Sequence, residues 1–209
     1  MNASGVKNRS PRSRAIFAGL SLGRRFTKDQ SGVAAIEFAL CFTLLAVMVD
    51  AVGELSMYVQ ADRNVAAICS TVGDLTGQAQ ATSPADMRDE FSIANQMMAP
   101  APVGNLSIRV TSVVPKIQGG RIIGAQVGWC QASGSSLPCR PKGSGVTTYR
   151  NGASFPISML PTLTSSVIST EISYTYDSPL ATLIPNGANI YKLSFENPRI
   201  VAHVQCGTC

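Results

Sequence analysis

Polar and hydrophobic positions divide the chain into three stretches. Residues 1–32 are polar and basic. From Val33 to Val49 the sequence VAAIEFALCFTLLAVMV is apolar on every side, with Glu37 its single charge. Seventeen residues at ~1.5 Å each give roughly 25 Å, a little less than the ~30 Å of a bilayer core. No proline occurs between Val33 and Gln80, so the helix can run on past the apolar stretch. Beyond it, Leu55, Tyr58, Val59, Val65, Ala66, Cys69 and Val72 recur at helical spacing, with Gln60, Arg63 and Asn64 off the stripe. This stripe predicts packing onto a core. Gly73 and Gly77 weaken the pattern, and Gly77–Ser83 reads as its end.

After residue 83 the period changes. Ser83-Pro84-Ala85-Asp86 opens a second helix, with Ser83 as N-cap, Pro84 at the first helical position and Asp86 and Asp89 at the positive end of the dipole. Ala99-Pro100-Ala101-Pro102 stops it. Leu106–Val114 alternates as a strand, Gly119-Gly120 turns the chain, and Arg121–Cys130 returns it. Residues 133–145 form a loop, and Val146–Phe155 is a further candidate strand. Val167–Tyr176 is the clearest strand, with Ile168, Thr170, Ile172, Tyr174 and Tyr176 on one face. Leu193-Ser194-Phe195 and Ile200–Val204 follow. A long N-terminal helix lying on an antiparallel β-sheet is an α+β layout. The expected organisation is 1–32, 33–76 (helix) and 77–209 (α+β domain).

Charge changes the picture of the N-terminal stretch. The chain carries a net +5, which on its own suggests nucleic acid. Residues 1–32, however, hold seven basic residues against Asp29 alone, a net of +6. Residues 33–209 hold ten basic and eleven acidic residues, a net of −1. Basicity confined to an arm directly before an apolar run is the pattern of cytoplasmic retention. Nucleic-acid binding, which needs cations spread over a folded surface, is not expected. A cleaved signal peptide fits poorly. Its n-region would span about 32 residues, far longer than such regions run. Its best small-x-small site, Ala51-Val52-Gly53, also lies between Asp50 and Glu54. An uncleaved signal anchor fits the apolar run equally well.

Glu37 separates these readings. A carboxylate near the centre of a membrane helix costs ~2.5 kcal/mol or more, and such groups usually have a functional partner. Gly32 stands five residues before it. A cut after Gly32 would create an α-amino group at Val33. That group could meet the Glu37 carboxylate or one on a neighbouring helix, so that each charge compensates the other.

The string Ser31-Gly32-Val33-Ala34-Ala35-Ile36-Glu37-Phe38-Ala39-Leu40 resembles the prepilin peptidase site of type IV pilin-like proteins, and more narrowly the TadE/TadG-like proteins of the Tad (Flp) pilus machinery. The likeness is specific over about residues 24–75. Glu54 falls where that family commonly carries a second acid. Tyr174-Thr175-Tyr176 and Asn197-Pro198-Arg199 look like its closing strand motifs. The resemblance implies a pilin-like fold and a leader over 1–32 cut between Gly32 and Val33. It makes Glu37 the recognition and assembly carboxylate. The implied function is that of a minor pseudopilin assisting initiation, capping or the platform of an adhesive Tad/Flp type IV pilus. The implied partners are a prepilin peptidase and other pilins and pseudopilins, with the chain in the inner membrane and its domain periplasmic. Its rivals are a signal-anchored periplasmic domain and an adhesin-like tip subunit.

Six cysteines complete the inventory. Cys130 and Cys139 bracket a Gly/Ser/Pro-rich loop and are expected to pair in an oxidising compartment. Cys206 and Cys209 are expected to form a local disulfide. A metal site with His203 and a bond from Cys69 to the tail remain as alternatives. Cys41 reads as a small apolar residue. One histidine excludes two-histidine metal motifs, and neither a phosphate loop nor a nucleophile elbow occurs. Neither an enzyme nor a cofactor is expected.

Overall fold

The computed structural model describes residues 31–179, 181, 183–207 and 209. The leader expected over 1–32 lies outside them, save Ser31 and Gly32. The chain forms two compact units, Met1–Asp50 and Ala51–Cys209, so the boundary falls inside the first helix. That helix, α1, runs from Ser31 to Gln78, two residues beyond the expected span at each end.

In the first unit, Gly32–Asp50 is exposed on every side. Phe38, Leu40 and Val49 each keep about 70 % of their surface open. Burying a side chain of this size is worth ~1.5–3 kcal/mol, so a face of such residues calls for lipid or other helices around it. By length and composition α1 can cross a membrane, and it is the one such helix among the described residues.

The second unit is α+β. After α1 come β1 (Ala81–Thr82), α2 (Pro84–Met97), β2 (Leu106–Gln118), β3 (Arg121–Ser133), a 3-10 turn (Ile157–Met159), β4 (Val167–Tyr176), β5 (Ala188–Glu196) and β6 (Gln205–Cys206). The main sheet is antiparallel, ordered β3-β2-β4-β5, and β1 pairs with β6 in a separate parallel ladder. Ser83 caps α2 as predicted. Its Oγ accepts from the Asp86 N–H, and the Asp86 carboxylate accepts from the Ser83 N–H at 2.9 Å. Gly119 and Gly120, with φ of +59° and +74°, make the two-residue turn between β2 and β3.

The helix stripe differs from the predicted one. The buried positions of α1 are Glu54, Ala61, Val65, Ile68, Cys69, Val72, Gly73, Thr76 and Gly77, while Leu55, Val59 and Ala66 face out. Gly73 and Gly77 lie where α1 comes close to the β5 end of the sheet. A Cβ on Gly73 would sit 3.0 Å from both Glu196 Cγ and Thr170 Oγ1, so a larger residue there would require those side chains of β4 and β5 to give way. The C-terminal end of α1 is held from the far end of the chain. The Arg199 N–H donates to Gly77 O at 2.9 Å, and its guanidinium pairs with Asp74 at 2.5 Å, a cation at the negative end of the helix dipole.

Both faces of the sheet are covered. Ile168, Ile172, Tyr174 and Tyr176, on the predicted common face of β4, join Ile108, Val110 and Ile190 against α1 and α2. On the other face Val113, Val127 and Val167 meet Val146, Tyr149, Phe155 and Leu160. Residues 146–155 are therefore a cover and not the expected strand. Among the described residues their one bridge is Thr148↔Ser154, within the segment, because Gly152 at φ +80° reverses the chain between Tyr149 and Ala153. Ile200–Val204 is also irregular. Ala202 O accepts from the Ser166 N–H and Val204 O from Trp129 Nε1, so pairing begins only at Gln205.

Gly134, just after β3, has φ +83°, and a Cβ there would lie 2.4 Å from Ser107 Oγ and 2.6 Å from Leu106 O. Gly134→Ala is expected to destabilise the second unit by about 2–3 kcal/mol, from a left-handed alanine and a collision with fixed backbone. A lowered urea midpoint of the full chain in detergent is the check.

Candidate functional site

The residues singled out in the sequence fall into three places. The first is the start of α1. Gly32 and Val33 lie in its first turn, where amide N–H groups have no intrahelical acceptor. A Cβ on Gly32 would meet nothing within 4 Å, so packing gives no reason for glycine there. Val33 is 54 % exposed. Glu37 is exposed in the next turn, and its side chain makes no hydrogen bond or ion pair among the described residues. This end of the helix presents an exposed carboxylate about one and a half turns after a sterically open glycine.

The second place is Glu54, which the resemblance made a second helix carboxylate. Its side chain is fully buried. It accepts hydrogen bonds from the Ser178 hydroxyl, from the Leu183 N–H at 2.7 Å and from the Ile184 N–H at 3.2 Å. Glu54 therefore closes the loop after β4 onto α1. Glu37 and Glu54 share a helix but sit in different surroundings, one open and one consumed by the fold.

The third place is the outer face of the sheet. Cys130 and Cys139 are paired. The loop they close is anchored by a charged cluster that the sequence reading did not single out. Arg109 and Glu171 are direct cross-strand partners on β2 and β4. Arg109 Nε donates to Glu171 Oε2 at 2.7 Å, with NH2 at 2.6 Å from the same oxygen. Its NH1 reaches Pro138 O at 2.8 Å, next to Cys139. Tyr191 donates to Glu171 Oε1 at 2.6 Å, and Arg140 stands 3.6 Å from that oxygen while its guanidinium lies over the Tyr149 ring. Glu171 is fully buried. Burial and the neighbouring carboxylate push the Tyr191 hydroxyl up, so it stays a donor. A single opposite charge in the middle of two neighbouring strands was the available signal.

Cys206 and Cys209 are also paired. This takes both sulfurs away from His203, and among the described residues no group of three or more His, Cys, Asp or Glu side chains gathers as a metal site. Cys69 is buried and its thiol donates to Thr170 O at 3.3 Å. Burial pushes that thiol up to about 12, which leaves it unreactive. It does not bond to the tail. Cys41 is a free, exposed thiol on α1.

The tail carries a pH dependence. Burial, and then the Lys142 charge, push the His203 imidazole below its ordinary value of 6.5. The unfolded chain therefore takes up this proton first. The stability His203 lends is complete above pH 6.5 and is lost as pH falls through the lower folded value. With one histidine in the chain, an NMR titration should give a single imidazole midpoint below 6.5 in the folded protein.

Compared with family models, with curated proteins and with solved structures, the chain finds no match.

Proposed function

We propose that the chain is a TadE/TadG-like minor pseudopilin of a Tad (Flp) type IV pilus, with a pilin-like architecture. A prepilin peptidase removes residues 1–32, and α1 holds the mature protein in the inner membrane with the second unit in the periplasm. The helix then leaves lipid for a bundle of other pilins and pseudopilins. There Glu37 compensates the new α-amino group at Val33 of a neighbouring subunit. The role is initiation, capping or the platform of an adhesive filament, and it is physical work with no reaction of its own.

The observation that carries this reading is the relation of Gly32, Val33 and Glu37 at the open end of an unburied apolar helix. Two otherwise isolated charges in lipid, brought together, remove a cost of several kcal/mol. A helix lying on an antiparallel sheet supports it at the level of fold, and the two disulfides support an oxidising compartment. Intact mass of the protein from cells with an active prepilin peptidase tests it: the mature mass corresponds to Val33–Cys209, and the full-length mass returns when the peptidase is inactive.

A further inference from the structure

We propose that the cleft where β3 meets residues 142–143 and 203–206 binds a carboxylate carried on an apolar body, with Lys142 and His203 as the pair that receives the charge. The cleft has a volume of about 400 Å³, and Gln126, Val127, Trp129 and Gln205 line it beside those two residues. It lies wholly within the second unit, so it is independent of the membrane helix and of the pilus reading. Separate stretches of chain bring the two basic residues here, and each stretch is pinned. Beside Lys142, the Gly143 N–H donates to Val127 O at 2.8 Å, and Ser144 O accepts from the Val127 N–H at 2.9 Å. On either side of His203, Ala202 O accepts from the Ser166 N–H and Val204 O from Trp129 Nε1, both at 2.8 Å.

The pairing is unfavourable as it stands. Lys142 is exposed and makes no ion pair among the described residues. Its charge is the one that acts on the His203 imidazole, and it opposes protonation. No Asp or Glu among the described residues lines the cleft to offset the two. His203 Nε2 is buried and has no hydrogen-bond partner among the described residues, whereas a buried polar atom ordinarily has one. Two basic side chains held together, one with an unpartnered nitrogen, make a place for an anion. The rest of the lining selects its kind. One ammonium and an imidazole that is mostly neutral at pH 7 supply about one positive charge. That balances a monocarboxylate, while a phosphate is better met by arginine forks, and no arginine lines the cleft among the described residues. Val127 and the Trp129 indole offer an apolar wall, and the Gln126 and Gln205 amides offer donors and acceptors to an amide of the ligand. A free small acid and the C-terminus of a peptide share this chemistry.

The test follows His203, the single histidine of the chain, by NMR of the full chain in dodecyl maltoside at constant chloride, with N-acetylleucine as the probe. The probe should shift the imidazole signals saturably and raise the imidazole midpoint, because a bound anion favours the protonated ring. By linkage, its affinity should rise as pH falls from about 8 to about 6. N-acetylleucinamide, which lacks the charge, should do neither. Lys142→Gln should weaken binding about fivefold or more and leave the urea midpoint unchanged, since the side chain is exposed and unpaired among the described residues. Isovalerate separates the two sources. Binding as tight as that of N-acetylleucine supports the site as one for a free acid, and weaker binding supports it as one for a peptide C-terminus. The absence of a saturable shift with N-acetylleucine would overturn the site. So would an equal shift with the amide, an equal rise in midpoint with inorganic phosphate (an adventitious ion only), or an unchanged affinity in Lys142→Gln.

Discussion

Arg109→Ala is expected to destabilise the second unit by about 3–5 kcal/mol, because it leaves a buried carboxylate without its cation. Glu171 is fully buried, and Arg109 supplies both of its short guanidinium contacts. Arg140 is a poor substitute. It stands 3.6 Å away and is engaged by Thr148 O and the Tyr149 ring. The same substitution frees Pro138 O, so the Cys130–Cys139 loop loses one of its ties to β2 and keeps the one from the Ser136 N–H to Ser107 Oγ. Removing both charges is a different matter. Arg109→Met with Glu171→Leu should recover most of the loss, since the desolvation cost of both ions disappears together. Urea unfolding of the two variants in detergent checks this. Equal loss in the single and double variants would show that the pair acts through packing and not through charge.

Glu37→Ala should abolish incorporation into the filament and leave the folded domain unchanged. Its carboxylate makes no bond within the described chain, so the stability of the Ala51–Cys209 unit has nothing to lose. In the membrane the alanine is the cheaper residue, by ~2.5 kcal/mol or more if the site is central. The protein should therefore accumulate in the inner membrane with normal unfolding behaviour while sheared filaments lack it. Glu37→Gln separates charge from shape, since it keeps the size of the side chain and removes the charge on which the proposed compensation depends. Wild-type assembly with Glu37→Ala would refute the role given to this residue.

Local signals in the sequence were sufficient for the elements that depend on neighbouring residues. The apolar run, the Ser83 capping box, the Gly119-Gly120 turn and the alternating face of β4 all involve residues within a few positions of each other. What depends on distant partners was not legible. Leu55 and Val59 fit an apolar stripe by type, yet the packed face of α1 runs through Glu54, Gly73 and Gly77. A buried carboxylate is betrayed only by its donors, and those of Glu54 lie 124 to 130 residues away. Gly73 and Gly77 read as helix weakeners because the strands that press on them are far along the chain. Val146–Phe155 carries strand-like residues, but its apolar side chains serve as a lid on the sheet and Gly152 turns it back. The start of α1 was legible because the apolar run that follows Gly32 is contiguous. The Arg109–Glu171 cluster was not, because its meaning depends on the β2–β4 register.

The N-terminal sequence of the protein recovered from cells with an active prepilin peptidase decides whether Gly32–Val33 is the cleavage site. The expected chain begins at Val33, so that the basic arm is gone and the mature protein is nearly neutral. An N-terminus that keeps residues 1–32 in such cells would contradict it, and α1 would then be an uncleaved anchor.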